Sequence, residues 1–142
     1  MNIRRGIAAI VLIFVIAMLW KALFHMLLIA EMNAMINDLR RSDLADKIPL
    51  SLLITLGMAI LFVISYSKWL RNGTLIERVI HGLFFALLAG IFVNANQYFV
   101  YPVAGMLASL WFFGGLVEFF FYAVVVWFVY SYGKQEAAVE VN

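Results

Sequence analysis

The chain has 142 residues, 66% of them hydrophobic and 13% charged, with a formal net charge of +2 and a mean hydropathy of +1.01. Soluble domains run about half apolar and about a quarter charged, so this composition excludes an ordinary soluble fold and points to membrane-spanning segments. The absence of cysteine excludes disulfides, thiolate metal sites, iron–sulfur clusters and thiol catalysis. The basic residues sit at helix ends, where membrane topology accounts for them better than nucleic-acid binding does.

Arg4 and Arg5 precede an apolar run from Ile7 to Trp20 that continues past Lys21 to Ile29. No small-x-small cleavage pattern follows it, so the run reads as a retained signal anchor and a first transmembrane helix over 7–30. At about 1.5 Å per residue that length crosses a bilayer. Residues 31–47 form the only sizeable polar segment. Met32, Met35, Ile36 and Leu39 fall there at helical spacing opposite Asn33, Asn37, Asp38 and Arg40. The pattern predicts a short interfacial helix after helix one, or a tilted extension of it. Asp46 is the expected N-cap of a second span over 48–67, with Pro49 tolerated in its first turn.

A turn follows over 68–74, with Asn72-Gly73 as its breaker. Asn72-Gly73-Thr74 also matches a glycosylation acceptor, expected to be silent because the charge bias places this loop in the cytoplasm. The third span covers 77–100 and the fourth 107–132, joined by a very short turn containing Tyr101-Pro102 and Gly105, so these two are expected to be antiparallel neighbours. A polar tail occupies 133–142. The predicted architecture is all-α, a single membrane domain over 1–142 built as an antiparallel up-down bundle of four transmembrane helices. Arg4, Arg5, Lys68, Arg71, Arg78 and Lys134 fall on one side and Arg40, Arg41 and Lys47 on the other, which predicts that both termini are cytoplasmic.

Glu118 stands alone as an acid in the apolar run from Leu107 to Tyr130, about 16 Å in from Leu107 at helical rise. A carboxylate at that depth is costly, and such groups face a bundle interior or a wet cavity. It shares a helix face with Trp111, Gly115 and Tyr122. Lys21 and His25 lie one turn apart on the first span, and Asn94 and Gln97 about one turn apart on the third. These spacings predict one intramembrane polar cluster of Glu118, Lys21, His25, Asn94 and Gln97, opening toward the outer side. Gly82, Ala86 and Gly90 at four-residue spacing, with Gly114 and Gly115 on the fourth span, are expected to let helices approach closely. In lipid such packing and interhelical hydrogen bonds drive association, at about 0.6–2 kcal/mol per polar contact.

Each residue also has a plainer reading. Lys21 can snorkel to the outer interface, His25 can be an ordinary interfacial histidine, and Asn94 and Gln97 can serve as interhelical glue. The aromatics Trp20, Trp69, Trp111, Trp127, Tyr130 and Tyr132 fit interfacial belts. His81 lies at the opposite end of the membrane from His25, which argues against bis-histidine haem, and His25 with Glu31 makes only two candidate metal ligands. No cofactor, metal or catalytic residue is expected. Nucleophile–base pairs at usable spacing, HExxH, a glycine-rich phosphate loop and a second intramembrane carboxylate are all absent, so an enzyme is unsupported.

The order of features resembles the small bacterial four-helix integral-membrane proteins grouped as domains of unknown function. The likeness rests on Trp20 near the end of the first span, the polar segment after it, and the stretch Gly82 to Gly90 followed by Asn94 and Asn96. A proline-containing turn and a Trp-Gly-rich fourth span with one acid complete it. The resemblance implies a multi-pass protein of the bacterial cytoplasmic membrane and supplies no activity. Two function classes remain. The first, favoured by the aromatic, lipid-compatible composition, the minimal loops and the lack of a soluble domain, is an accessory or structural subunit packing against other membrane subunits or copies of itself. The second is a small-solute or proton-coupled binding and transport protein using the mid-membrane carboxylate.

Overall fold

The computed structural model describes residues 3–70 and 74–139, and the side chains of those residues as far as Ser131. Among the described residues every regular element is helical. Four stretches are long and apolar enough to cross a membrane: Ile3–Leu28, Ala45–Trp69, Leu75–Val100 and Gly105–Ser131. Large apolar side chains stand exposed on every one of them, including Leu19, Leu53, Phe92 and Phe113. In water such a surface would aggregate; in a bilayer it is the solvated surface. The chain is therefore a multi-pass membrane protein.

The first stretch is α1 (Ile3–Leu23) continued by a π-helical turn at Phe24–Leu28. Ile29 N–H reaches five residues back to the Phe24 carbonyl at 3.0 Å, which widens the helix there. After Ile29 the chain re-forms as the short helix α2 (Ala30–Ala34), followed by single 3₁₀ turns at Asn37–Leu39 and Ala45–Lys47. The expected amphipathic split of residues 31–47 holds only in part: Met32 and Ile36 are half-buried and Asn37, Asp38 and Arg40 are exposed, with exceptions. Asn33, placed on the polar face by spacing, is buried, and Met35, placed on the apolar face, is exposed. The helix ends at Ala34 and gives way to a 3₁₀ turn, so a single helical period counted over 32–40 assigns some faces wrongly. Within this segment Arg41 binds Asp43 through Nε and Nη2 at 2.8 and 3.0 Å, which holds the Asp43 carboxyl below the usual carboxylate range.

The second stretch is α3 (Ile48–Trp69), with Pro49 in its first turn. Asp46 is not its cap. Lys47 occupies the N-cap position with no side-chain bond, because the preceding 3₁₀ turn already engages the backbone there. The breaker at Asn72-Gly73 lies outside the described residues. The next helix, α4 (Leu75–Ala89), starts at a capping box in which Thr74 Oγ1 accepts from Glu77 N–H and the Glu77 carboxylate accepts from Thr74 N–H. A second π-helical segment, Gly90–Ala95, and the short α5 (Asn96–Val100) complete the third stretch. The fourth is α6 (Gly105–Val139). It begins at the glycine expected in the turn and runs past the stop expected near Tyr132-Gly133, which in this sequence does not break the helix.

Packing produces two cores. The larger joins α1, α3, α4 and α6 through Ile13, Ala59, Phe62, Tyr66, Ala86, Tyr122 and Val126. On α1 the buried residues Gly6, Ala9, Ile13 and Ala17 form a mostly small face that admits α3 and α6. The smaller core gathers Phe24, Ile29, Val103 and Leu107, with Trp20, Met32, Ile36 and Trp111 against it. The α4–α6 interface is the most extensive. Two glycines set its spacing: a Cβ on Gly82 would come within 2.8 Å of the Phe119 carbonyl oxygen, and one on Gly90 would collide with the Phe112 ring. Gly114 seats the Phe24 ring in the same way. Gly115 is a correction to the packing expectation, since nothing lies within 4 Å of where its Cβ would be. Successive helix residues point about 100° apart, so adjacent glycines serve different faces.

Candidate functional site

Where the two cores fail to meet, the helices enclose a cavity of about 500 Å³, lined by members of both. Its size falls within the range of small-molecule pockets. All five residues of the expected polar cluster, Lys21, His25, Asn94, Gln97 and Glu118, line it. The floor consists of buried Tyr122, Thr55 and Phe119, whereas His25, Arg40 and Gln97 are exposed toward the mouth.

At the floor, α1 delivers Lys21 from its last turn. The ammonium donates to Thr55 Oγ1 on α3 at 2.8 Å and stands 3.9 Å from Glu118 Oε1 on α6. Thr55 in turn donates to the Ser51 carbonyl at 3.0 Å, so its oxygen presents a lone pair to Lys21. Tyr122, one turn along α6 from Glu118, donates its hydroxyl to the same Oε1. The carboxylate side chain retains only 16% of its exposure, against 37% for Lys21. A carboxylate so enclosed requires a nearby cation and donor, and both are supplied. Lys21 thus turns inward and does not snorkel to the surface.

Nearer the mouth, the π-helical turn in the first stretch brings His25 to the wall and leaves its carbonyl to be satisfied by a side chain. Asn33 does this, donating Nδ2 to the His25 oxygen at 3.0 Å. Trp111 Nε1 donates to Asn33 Oδ1 at 3.3 Å, which fixes which end of the amide is which. The same Nδ2 lies 3.2 Å from His25 Nδ1. Nδ1 must therefore accept, and the imidazole hydrogen resides on Nε2. Asn94 reaches the opposite wall from the second π-helical segment. Both interruptions of helical register thus fall beside the cavity, where π-bulges commonly serve function.

Trp20 and Trp111 depart from the interfacial-belt expectation. Trp20 donates Nε1 to the Gly114 carbonyl at 3.0 Å and stacks on Phe24, and Trp111 holds Asn33. Tyr130 is also buried, whereas Trp69 is exposed. Sequence reasoning missed Asn33, Thr55 and Arg40 as cavity residues. Thr55 carried a usable signal: with Ser51 it places two hydroxyls one turn apart in an otherwise apolar helix. Asn33 carried none, because its partner His25 lies across the break at Ile29 and no periodicity counted within 31–47 reaches it.

A second buried polar group lies elsewhere in the bundle. Arg78, counted from sequence as a loop charge, is buried; its Nη1 donates to the Trp127 carbonyl at 3.4 Å and to Ser131 Oγ at 3.2 Å, with the guanidinium over the Tyr66 ring. His81 Nε2 lies 3.0 Å from Ser65 Oγ, whose hydroxyl donates to the Phe62 carbonyl. The two histidines are accordingly held by separate partners. Among the described residues no group of three metal-ligating side chains occurs. No protein-family model, curated protein or solved structure matches the chain.

Proposed function

We propose that this protein binds a small polar solute within the membrane, using the cavity bounded by Lys21, Glu118, His25, Asn94 and Gln97. The observation that carries the reading is convergence: polar side chains from all four apolar stretches line one space of about 500 Å³. Each such group costs free energy in lipid, and interhelical glue would require them to bond one another, which would close the space. In this reading Lys21 and Glu118 form the floor, and His25 and Gln97 the mouth.

The bundle is antiparallel with both termini cytoplasmic, in a bacterial cytoplasmic membrane. Lys21 at the end of α1 meets Thr55 near the start of α3, His81 on α4 meets Ser65 late in α3, and Arg78 meets Trp127 far along α6; these pairs support alternating directions. The segment after α1 then lies at the outer interface beside the cavity mouth. Arg78 is removed from the loop charges, and in the sequence Arg4, Arg5, Lys68, Arg71 and Lys134 still outnumber Arg40, Arg41 and Lys47.

Water access tests the reading. The chain has no cysteine, so single cysteines report without background. Gly115→Cys, facing open space in the cavity wall, is expected to react in native membranes with a charged methanethiosulfonate. Phe92→Cys, 71% exposed but on an apolar outer surface, is expected to stay unmodified. A protected Gly115→Cys would contradict a wet cavity.

A second reading, an accessory subunit or self-assembling bundle, is supported by a separate open groove of about 560 Å³ between the Gly90–Ala95 segment with α5 and the start of α6. Gly105, Ala108 and Ser109 line it, and small residues of this kind admit a neighbouring helix. Mild detergent extraction followed by mass determination separates the readings: stable companions favour the subunit, and a lone monomer or dimer favours the binding protein.

A further inference from the structure

We infer that the cavity takes a monoanionic oxyanion group carried on an apolar organic body, its charge met by Arg40 and its apolar body lying against Trp111 and Phe119. The inference rests on the cavity being a binding site.

Among the described residues three charged side chains line the cavity: Lys21, Arg40 and Glu118. Lys21 and Glu118 largely compensate each other across 3.9 Å. The charge of Arg40 is left over. Among the described residues it forms no ion pair, in contrast to its neighbour Arg41, which is held by Asp43. His25 adds a donor and no acceptor at the mouth, because Asn33 occupies Nδ1 and leaves the hydrogen on Nε2. An organic cation approaching this mouth would meet Arg40 first and then find Lys21 already before Glu118, the one carboxylate among the described lining residues. A monoanion meets a guanidinium able to bind it through two parallel hydrogen bonds. It also neutralises the lining. Trp111, Phe119, Ile54 and Met58 make much of the wall apolar, which suits an organic body better than a hydrated inorganic ion.

The anionic group has two possible carriers, a free solute or the phosphate of a lipid headgroup, and the test distinguishes them. Full-length protein is placed in nanodiscs of phosphatidylcholine and its thermal unfolding followed with benzoate, benzylammonium or benzyl alcohol. The three share a ring and differ in charge. Benzoate is expected to raise Tm most. Arg40→Gln is expected to weaken its apparent affinity about tenfold or more, the loss of a charge-assisted pair. Arg41→Gln makes the same charge change beside the site and is expected to leave benzoate binding unaltered.

If phosphatidylglycerol in the disc raises Tm in an Arg40-dependent way and suppresses the benzoate shift, the same anion site is filled by a headgroup. The inference is overturned if benzylammonium stabilises more than benzoate, if the benzoate shift survives Arg40→Gln unchanged, or if neither benzoate nor the anionic lipid has an effect. Failure here with Gly115→Cys still labelled removes the ligand class alone. Loss of that labelling removes the binding reading itself.

Discussion

Gly82→Leu is expected to abolish the folded protein, read as loss of the monodisperse species after detergent extraction. The Cβ of any side chain at this position lies 2.8 Å from the Phe119 carbonyl oxygen and 3.3 Å from the Ala123 Cβ. Backbone cannot swing aside as a side chain can, so α4 and α6 must separate along their most extensive contact. Overpacking costs about 1–3 kcal/mol where side chains can adjust, and more is expected against a main-chain atom. Helix propensity acts in the other direction, since leucine is favoured over glycine by up to about 1 kcal/mol. A stabilised Gly82→Leu protein would show that the two helices do not approach as described. Gly90→Leu is the milder comparison, because the Phe112 ring it strikes borders an open groove into which the ring can turn.

The second large effect concerns the pair at the cavity floor. Lys21→Met leaves an enclosed carboxylate with Tyr122 as its donor and no cation, and Glu118→Leu leaves the ammonium with Thr55 alone. Breaking a fully buried pair costs about 3–5 kcal/mol, and the partial exposure of Lys21 reduces the expectation here to about 1–3 kcal/mol for each single change. The double variant Lys21→Met/Glu118→Leu removes both charges and is expected to recover most of that loss. Reversible unfolding of all four proteins in one detergent gives the coupling energy directly. Additive losses would mean that the two groups do not sense each other.

The parts of this arrangement that were legible in the sequence are those governed by an uninterrupted helical period. Lys21 with His25, and Trp111 with Gly115, Glu118 and Tyr122, each occupy one face of one helix, and each set lines the cavity. The four apolar stretches were equally plain, because length and composition suffice for them. Legibility failed where the register changes. The break at Ile29 separates residues 31–47 from the first helix, and the short helix after it ends at Ala34, so one period counted over 32–40 assigned Asn33 to solvent although it supports His25 and accepts from Trp111. Arg78 was misread for a different reason: a position in the first turn of a helix does not reveal whether a neighbouring helix overlies it. Gly114 and Gly115 show the limit of a composition argument. One seats an aromatic ring and the other borders empty space, and only their partners distinguish them.

The central claim is that groups from separate apolar helices meet at one polar floor, and a lipid-soluble carbodiimide tests it most directly. Dicyclohexylcarbodiimide activates a carboxyl within the membrane as an O-acylisourea. Once the Lys21 ammonium has passed its proton to the Glu118 carboxylate, the acid adds to the carbodiimide, and the amine, its Nζ 3.9 Å from Glu118 Oε1, is positioned to attack the activated carbon. An amide forms, dicyclohexylurea leaves, and the protein has lost one water in mass. The predicted result is a peptide in which Lys21 is joined to Glu118, absent from Lys21→Met and from Glu118→Gln. A stable carbodiimide adduct on Glu118 with no such crosslink would contradict the account, because it would place the carboxyl in the membrane without the lysine beside it.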